Sequence, residues 1–133
     1  MIIDTSALIA ILRGEPDAEQ ISQALEHAQT SRRMSSATYL ETCLVIDASK
    51  DPVLSRNLDR LIEIAQIEIV AFTPDHARLA RQAYIDFGKG SGHPAQLNFG
   101  DCFAYALARA LDEPILFKGS DFRQTDLISA LDP

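Results

Sequence analysis

Short runs of aliphatic and β-branched residues alternate along this chain with longer stretches whose apolar residues recur at helical spacing, and few folds accommodate that alternation. The first run covers residues 1–4 and passes directly into a short helix ending at Leu12. Pro16 suits a first helical position, so a second helix is expected from there to about residue 30, with Ile21, Ala24, Leu25 and Ala28 on one face. A strand at 33–36 precedes a helix carrying Leu40, Cys43, Leu44 and Ile46, which stops near Asp51-Pro52; another helix covers 52–65. IEIVAF, at 67–72, is the clearest strand, and Thr73-Pro74 caps a helix through about 87. The segment GKGSGHPAQ, at 88–96, reads as a flexible loop before a helix that starts at Asn98 or Phe99 and runs through 111. PILF, at 114–117, is a fourth strand, and 127–130 a candidate fifth. Strands separated by helices in this way make an α/β domain with a mainly parallel sheet covered on both faces. In such sheets ligands bind beyond the carboxyl ends of the strands.

At 133 residues the chain fits one domain over 1–133, large enough to bury roughly two thirds of its unfolded surface. Cys43 and Cys102 lie inside apolar helical patterns, without C-x-x-C spacing, and are expected to be buried, reduced thiols. The apolar opening has neither a basic flank nor a cleavage site, and no stretch approaches the ~20 apolar residues of a membrane span. A soluble, cytoplasmic chain with no membrane association is expected. The formal net charge of −7 argues against unspecific adhesion to nucleic acid or anionic lipid, so a polyanionic substrate would need a local remedy.

Four acids occupy one kind of position. Asp4 ends the first strand, Glu41 falls in the first turns of the helix after the second, Asp101 near the start of the helix from Asn98, and Asp121 just past the fourth strand. Each has a structural reading of its own. Asp4 and Asp121 would cap the turns that follow them, while Thr38-x-x-Glu41 and Asn98-x-x-Asp101 match capping boxes. Convergence would change the balance. A helix N-terminus stabilises an acid by ~0.3–1 kcal/mol, whereas two carboxylates forced to 4 Å repel by roughly 4 kcal/mol at an effective dielectric of 20. Converging acids must therefore bind a cation or share protons. Oxygen-only ligands select magnesium or manganese over zinc, and His27, His76 and His93 show no ligand spacing and read as surface residues. A metal would also supply the local positive charge that an approaching phosphate needs. Ser6 is placed to orient a carboxylate, to bond a phosphate oxygen, or simply to bond backbone in the first helical turn.

MIIDTSALIAIL at the start, Glu41, HPAQLNFGDCFAYALA at 93–108 and LFKGSDFRQTDL at 116–127 together resemble a PIN-domain ribonuclease, and more narrowly the VapC toxins of bacterial toxin–antitoxin pairs. The resemblance spans the whole chain with its acids in the family order. It implies a three-layer α/β/α sandwich whose parallel sheet gathers Asp4, Glu41, Asp101 and Asp121 into one pocket, with Asp4 and Asp101 as direct magnesium ligands and Ser6 and Thr125 supporting them. It also implies a homodimer and inhibition by a VapB-type antitoxin occupying the active-site groove. One departure is Ser120, where relatives often carry aspartate or asparagine.

The function expected is magnesium-dependent hydrolysis of RNA phosphodiester bonds, with manganese as a substitute ion. Arg13, Lys118 and Arg123, close in sequence to the acids, are candidates to hold flanking phosphates. Two other classes compete. Phosphoryl transfer through an aspartyl phosphate wants a second aspartate at position 6, which is serine, and a receiver domain wants an acid pair at the first strand, where Asp4 is single. An acidic protein-interaction domain explains the charge but not these positions.

Overall fold

The computed structural model describes residues 1–132. Its sheet has four strands, β1 (Ile2–Ile3), β2 (Arg33–Ser35), β3 (Glu68–Val70) and β4 (Ile115–Leu116), in the order β3-β2-β1-β4. All neighbours are parallel, with Ile2 opposite both Arg33 and Ile115, and Ile3 opposite Leu116. The helices are α1 (Thr5–Leu12), α2 (Ala18–Glu26), α3 (Ser36–Asp47), α4 (Pro52–Ile64), α5 (Pro74–Phe87) and α6 (Asp101–Leu111), and a single 3-10 turn covers Phe122–Gln124.

Alternation along the strands decides which helices cover which face. Ile2, Ile115 and Phe117 point into a core shared with Ala80, Ala83, Tyr105 and Leu107 of α5 and α6. Ile3, Leu116 and Met34 point the other way, against Leu8, Ile21, Ile46 and Leu58 of α1 to α4. The result is the three-layer sandwich expected. The chain walks outward from β1 to β3, then returns across β1 to β4, and that reversal opens a crevice at the carboxyl ends of the central strands.

Local chemistry sets the ends. Asp51 accepts from the Val53 and Leu54 amides ahead of Pro52, and Thr73 accepts from His76 N ahead of Pro74. Gly14, at φ +60°, closes α1 in a Schellman turn, with Gly14 N bonded to Ile11 O and Glu15 N to Ala10 O. This turn and the next, closed by Ala18 N on Glu15 O, occupy residues 13–17, so α2 starts at Ala18 rather than Pro16 and stops at Glu26, short of residue 30.

Other expectations need correction. The fifth strand shrinks to one bridge, Ser129 beside Ile115. The 88–96 segment is not loose: Ala95 and Leu97 are buried, Gly88 bridges to Leu97, and the His93 ring packs edge-on against Phe87 at 4.9 Å. His27 is exposed, but His76 and His93 are half-buried. Both cysteines are free; Cys102 is buried and Cys43 only half-buried. Among the described residues, no helix is long and apolar enough to cross a membrane.

Candidate active site

The carboxyl end of β1 delivers Asp4 into a cleft of about 240 Å³ that is lined also by Ser6, Glu41, Asn98, Asp101 and Lys118. Larger clefts exist, one of about 460 Å³ lined by Leu25, Leu61 and Ala65 among others, but no set of carboxylates converges in it. The chemistry lies in the smaller one.

Asp4 is 3% exposed. Its Oδ2 accepts from Ser6 N at 3.0 Å and from Ser6 Oγ at 2.6 Å, so it does cap α1. Ser6 Oγ in turn accepts from the Lys118 amide at 2.9 Å, which ties α1 to the end of β4. Burial raises the Asp4 carboxyl to about 7 against the lowering effect of Ser6, and the charges of Asp101 and Glu41 raise it further. Asp101 is raised to about 6, again chiefly by burial, with Asp121 and Glu41 opposing its ionisation. Its Oδ2 accepts from Asn98 N at 3.0 Å while Asn98 Oδ1 accepts from Asp101 N at 2.9 Å, so the expected capping box forms.

The capping reading of Glu41 does not survive. Ser35, not Thr38, caps α3 by accepting from Ala37 N, and Thr38 lies buried inside the helix. Glu41 instead points into the cleft, where its Oε1 accepts from Thr5 Oγ1 at 2.7 Å. Asp121 does not line the cleft. It is exposed at the head of the 3-10 turn, makes no cap bond, and reaches the site through its effect on Asp101.

The supporting residues divide in the same way. Ser6 sits in the cleft, while Thr125 closes its own turn, donating to Phe122 O at 2.6 Å and accepting from Leu127 N at 3.2 Å. Lys118 lines the cleft, but its Nζ is paired with Glu15, a residue that the sequence did not mark and that the Schellman turn of α1 brings there. That pairing raises the Lys118 pKa. Arg13 is exposed beyond the end of α1, outside the cleft lining; Arg123 pairs with Asp132 and lies over the Phe117 ring at 5.8 Å. Thr5 and Gly100 were also missed. No local signal marks either, because Thr5 in the first turn of α1 and Gly100 just before α6 join the site only through contact with Glu41.

A buried carboxylate, a half-buried one and a third beside them fit a hard divalent cation, because the donors are all oxygen and the one lysine lining the cleft is occupied by Glu15. Among the described residues, no three histidine, cysteine or acidic side chains already close around one point. Magnesium tolerates that openness, since it keeps several waters among its ligands.

Comparison with known proteins identifies the family. The family model described as PIN domain matches residues 1–127. Over 132 residues the chain is 57% identical to ribonuclease VapC28 of Mycobacterium tuberculosis, a match that covers 99% of this chain and 98% of that one. Among solved structures, the sarcin-ricin loop cleaving toxin VapC20 of Mycobacterium tuberculosis shares the fold at a TM-score of 0.75 and 14% identity, over 96% of this chain and 95% of that one. A toxin–antitoxin complex from Klebsiella pneumoniae does so at 0.70 and 16% identity, over 99% and 98%. With one family model spanning nearly all of its residues and a full-length relative more than half identical, this chain belongs to the PIN-domain family, on the branch of the VapC ribonucleases.

Proposed function

We propose that this chain is a magnesium-dependent ribonuclease and the toxin of a toxin–antitoxin pair. The observation that carries the proposal is the meeting of Asp4 and Asp101, remote in the chain, in one cleft where burial raises both carboxyls and the charge of Asp101 raises Asp4 further. A cation shared by the pair would hold both carboxylates fully ionised at neutral pH, and an enclosed cation beside a negatively charged chain gives a phosphodiester somewhere to bind. The name of the relative that is 57% identical points to RNA as the polymer. The Klebsiella complex supports a protein antitoxin as the partner.

In this reading Asp4, Asp101 and Glu41 hold the ion. When bound, magnesium lowers the pKa of a water and neutralises charge gathering on the scissile phosphate. Ser6 fixes the orientation of Asp4 through Oδ2, and its own position is fixed by the Lys118 amide. Asp101 in the cleft or Asp121 just outside its lining would accept the proton of the attacking water. Lys118 Nζ is the basic group in the lining that is available to a flanking phosphate once Glu15 releases it. Manganese is the expected substitute ion, and the cytoplasm, where RNA is met, the expected location. A homodimer belongs to the same proposal, supported by Tyr84, Ile85 and Phe99, which leave an apolar stretch of surface exposed beside α5 and the start of α6.

The test is cleavage of total RNA by the purified chain with magnesium or with chelator, beside Asp4→Asn and Asp101→Asn. Loss of cleavage in chelator and in both folded variants is expected. Full cleavage by either variant overturns the assignment, and magnesium binding without cleavage would favour an acidic interaction domain.

A further inference from the structure

Gly100 has no backbone reason to be glycine. Its φ of −66° and ψ of −37° are ordinary right-handed values that any residue adopts. Its neighbour supplies the reason. A Cβ on Gly100 would lie 1.7 Å from Glu41 Oε2 and 2.6 Å from Glu41 Cδ, so the carboxylate lies directly against the glycine. The other carboxylate oxygen, Oε1, takes the hydrogen bond from Thr5 Oγ1 at 2.7 Å. Thr42 Oγ1 lies 2.9 Å from both Thr5 Oγ1 and Thr38 O, and its single proton serves one or the other. One oxygen is held by the Thr5 hydroxyl of α1, and the other fills space that only glycine leaves open.

We propose that Gly100 and Thr5 are positioning residues that aim Glu41 into the cleft. Resting on the reading of that cleft as a divalent-cation site, this names the parts of the chain that set its third carboxylate. The group obstructing a Cβ is the free end of a flexible, half-buried side chain. Gly100→Ala therefore leaves α6 and the fold in place, while Glu41 swings toward solvent and loses Thr5. Its effect falls on the site.

The test is calorimetric titration with manganese in the absence of RNA, alongside thermal melts in chelator. Gly100→Ala is expected to fold and to bind manganese about 10- to 100-fold more weakly, the range typical of residues that orient metal ligands. Adding Glu41→Asp, one methylene shorter, to Gly100→Ala should recover part of the loss. In a Glu41→Ala background, Gly100→Ala should cause no further weakening and should raise the melting temperature, because nothing then obstructs the Cβ. Thr5→Val should weaken binding while Thr5→Ser, which keeps the hydroxyl, should not. Unchanged affinity in Gly100→Ala, an equal loss in the Glu41→Ala background, or failure of Gly100→Ala to fold overturns the inference and leaves the metal reading standing. Absence of manganese binding by the unaltered chain overturns the metal reading and this inference with it.

Discussion

Replacing Asp4 with asparagine removes a charge that the fold opposes. The Asp4 carboxyl is 3% exposed and raised from 3.8 to about 7, mainly by burial, with Asp101 and Glu41 adding to the effect. The folded chain therefore keeps a proton that the unfolded chain has released. Stability from this group is complete below 3.8, declines as pH rises toward about 7, and is level above that. At ~1.36 kcal/mol per pH unit, the gap between the two values puts a ceiling of ~4 kcal/mol on the loss. For a chain of this length the entropy of unfolding is ~0.3 kcal/mol/K, so the ceiling corresponds to ~14 °C in melting temperature. Asparagine retains an oxygen for the Ser6 amide and hydroxyl and caps helices as well as aspartate does. In chelator, Asp4→Asn should melt above the unaltered chain at about pH 8, and the difference should vanish below 3.8. Magnesium at about pH 8 should raise the melting temperature of the unaltered chain and not that of the variant. If Asp4→Asn melts at or below the unaltered chain above pH 7 in chelator, Asp4 is not held against its charge, and the physical case for a cation fails.

The other expectations concern separate parts of the molecule. Asp101→Asn should behave like Asp4→Asn with a smaller stability gain, since Asp101 is raised only to about 6; chelator melts of the two variants side by side check the order. Gly14→Ala meets no neighbouring atom but must hold φ +60°, so a loss of ~1 kcal/mol is expected, read as a lower urea midpoint at unchanged slope. Lys118→Ala should raise KM for RNA more than it lowers kcat, while Glu15→Gln, freeing the lysine, should lower KM; steady-state kinetics at fixed low salt separates the two. Tyr105→Phe removes the hydroxyl that donates to Asp126 at 2.7 Å and should cost about 1 kcal/mol in urea denaturation without touching RNA cleavage.

The layer order and the sheet direction were legible because β-branched runs and helical spacing are local properties that the tertiary structure had no reason to override. The ends were less so. Pro16 suits a helix start, yet the Schellman turn at Gly14 occupies the residues around it and moves α2 to Ala18. Ser35 and Thr38 are both competent caps, and only the register of β2, which ends at Ser35, chooses between them. The acids could be named from the sequence, but what makes three of them a site is contact between elements remote in the chain. Thr5 against Glu41, and Gly100 against the same carboxylate, leave no mark in any window of consecutive residues. Asp121 carries the opposite lesson: its place in the motif is plain, while its side chain stands outside the cleft lining.

The bonds that join β1 to β4 also impose an order of events during synthesis. Asp4 N bonds to Leu116 O at 3.0 Å, and Ser6 Oγ takes the Lys118 amide, so residues made first complete their hydrogen bonds with residues made more than a hundred positions later. Until β4 leaves the ribosome and docks, the inner edge of β1 lacks its partner, Ser6 is free to turn, and one wall of the cleft does not exist. A partly made chain carries Asp4 and Glu41 without the enclosure that gives them their properties. The cleft is complete only once β4 has been made and has docked beside β1.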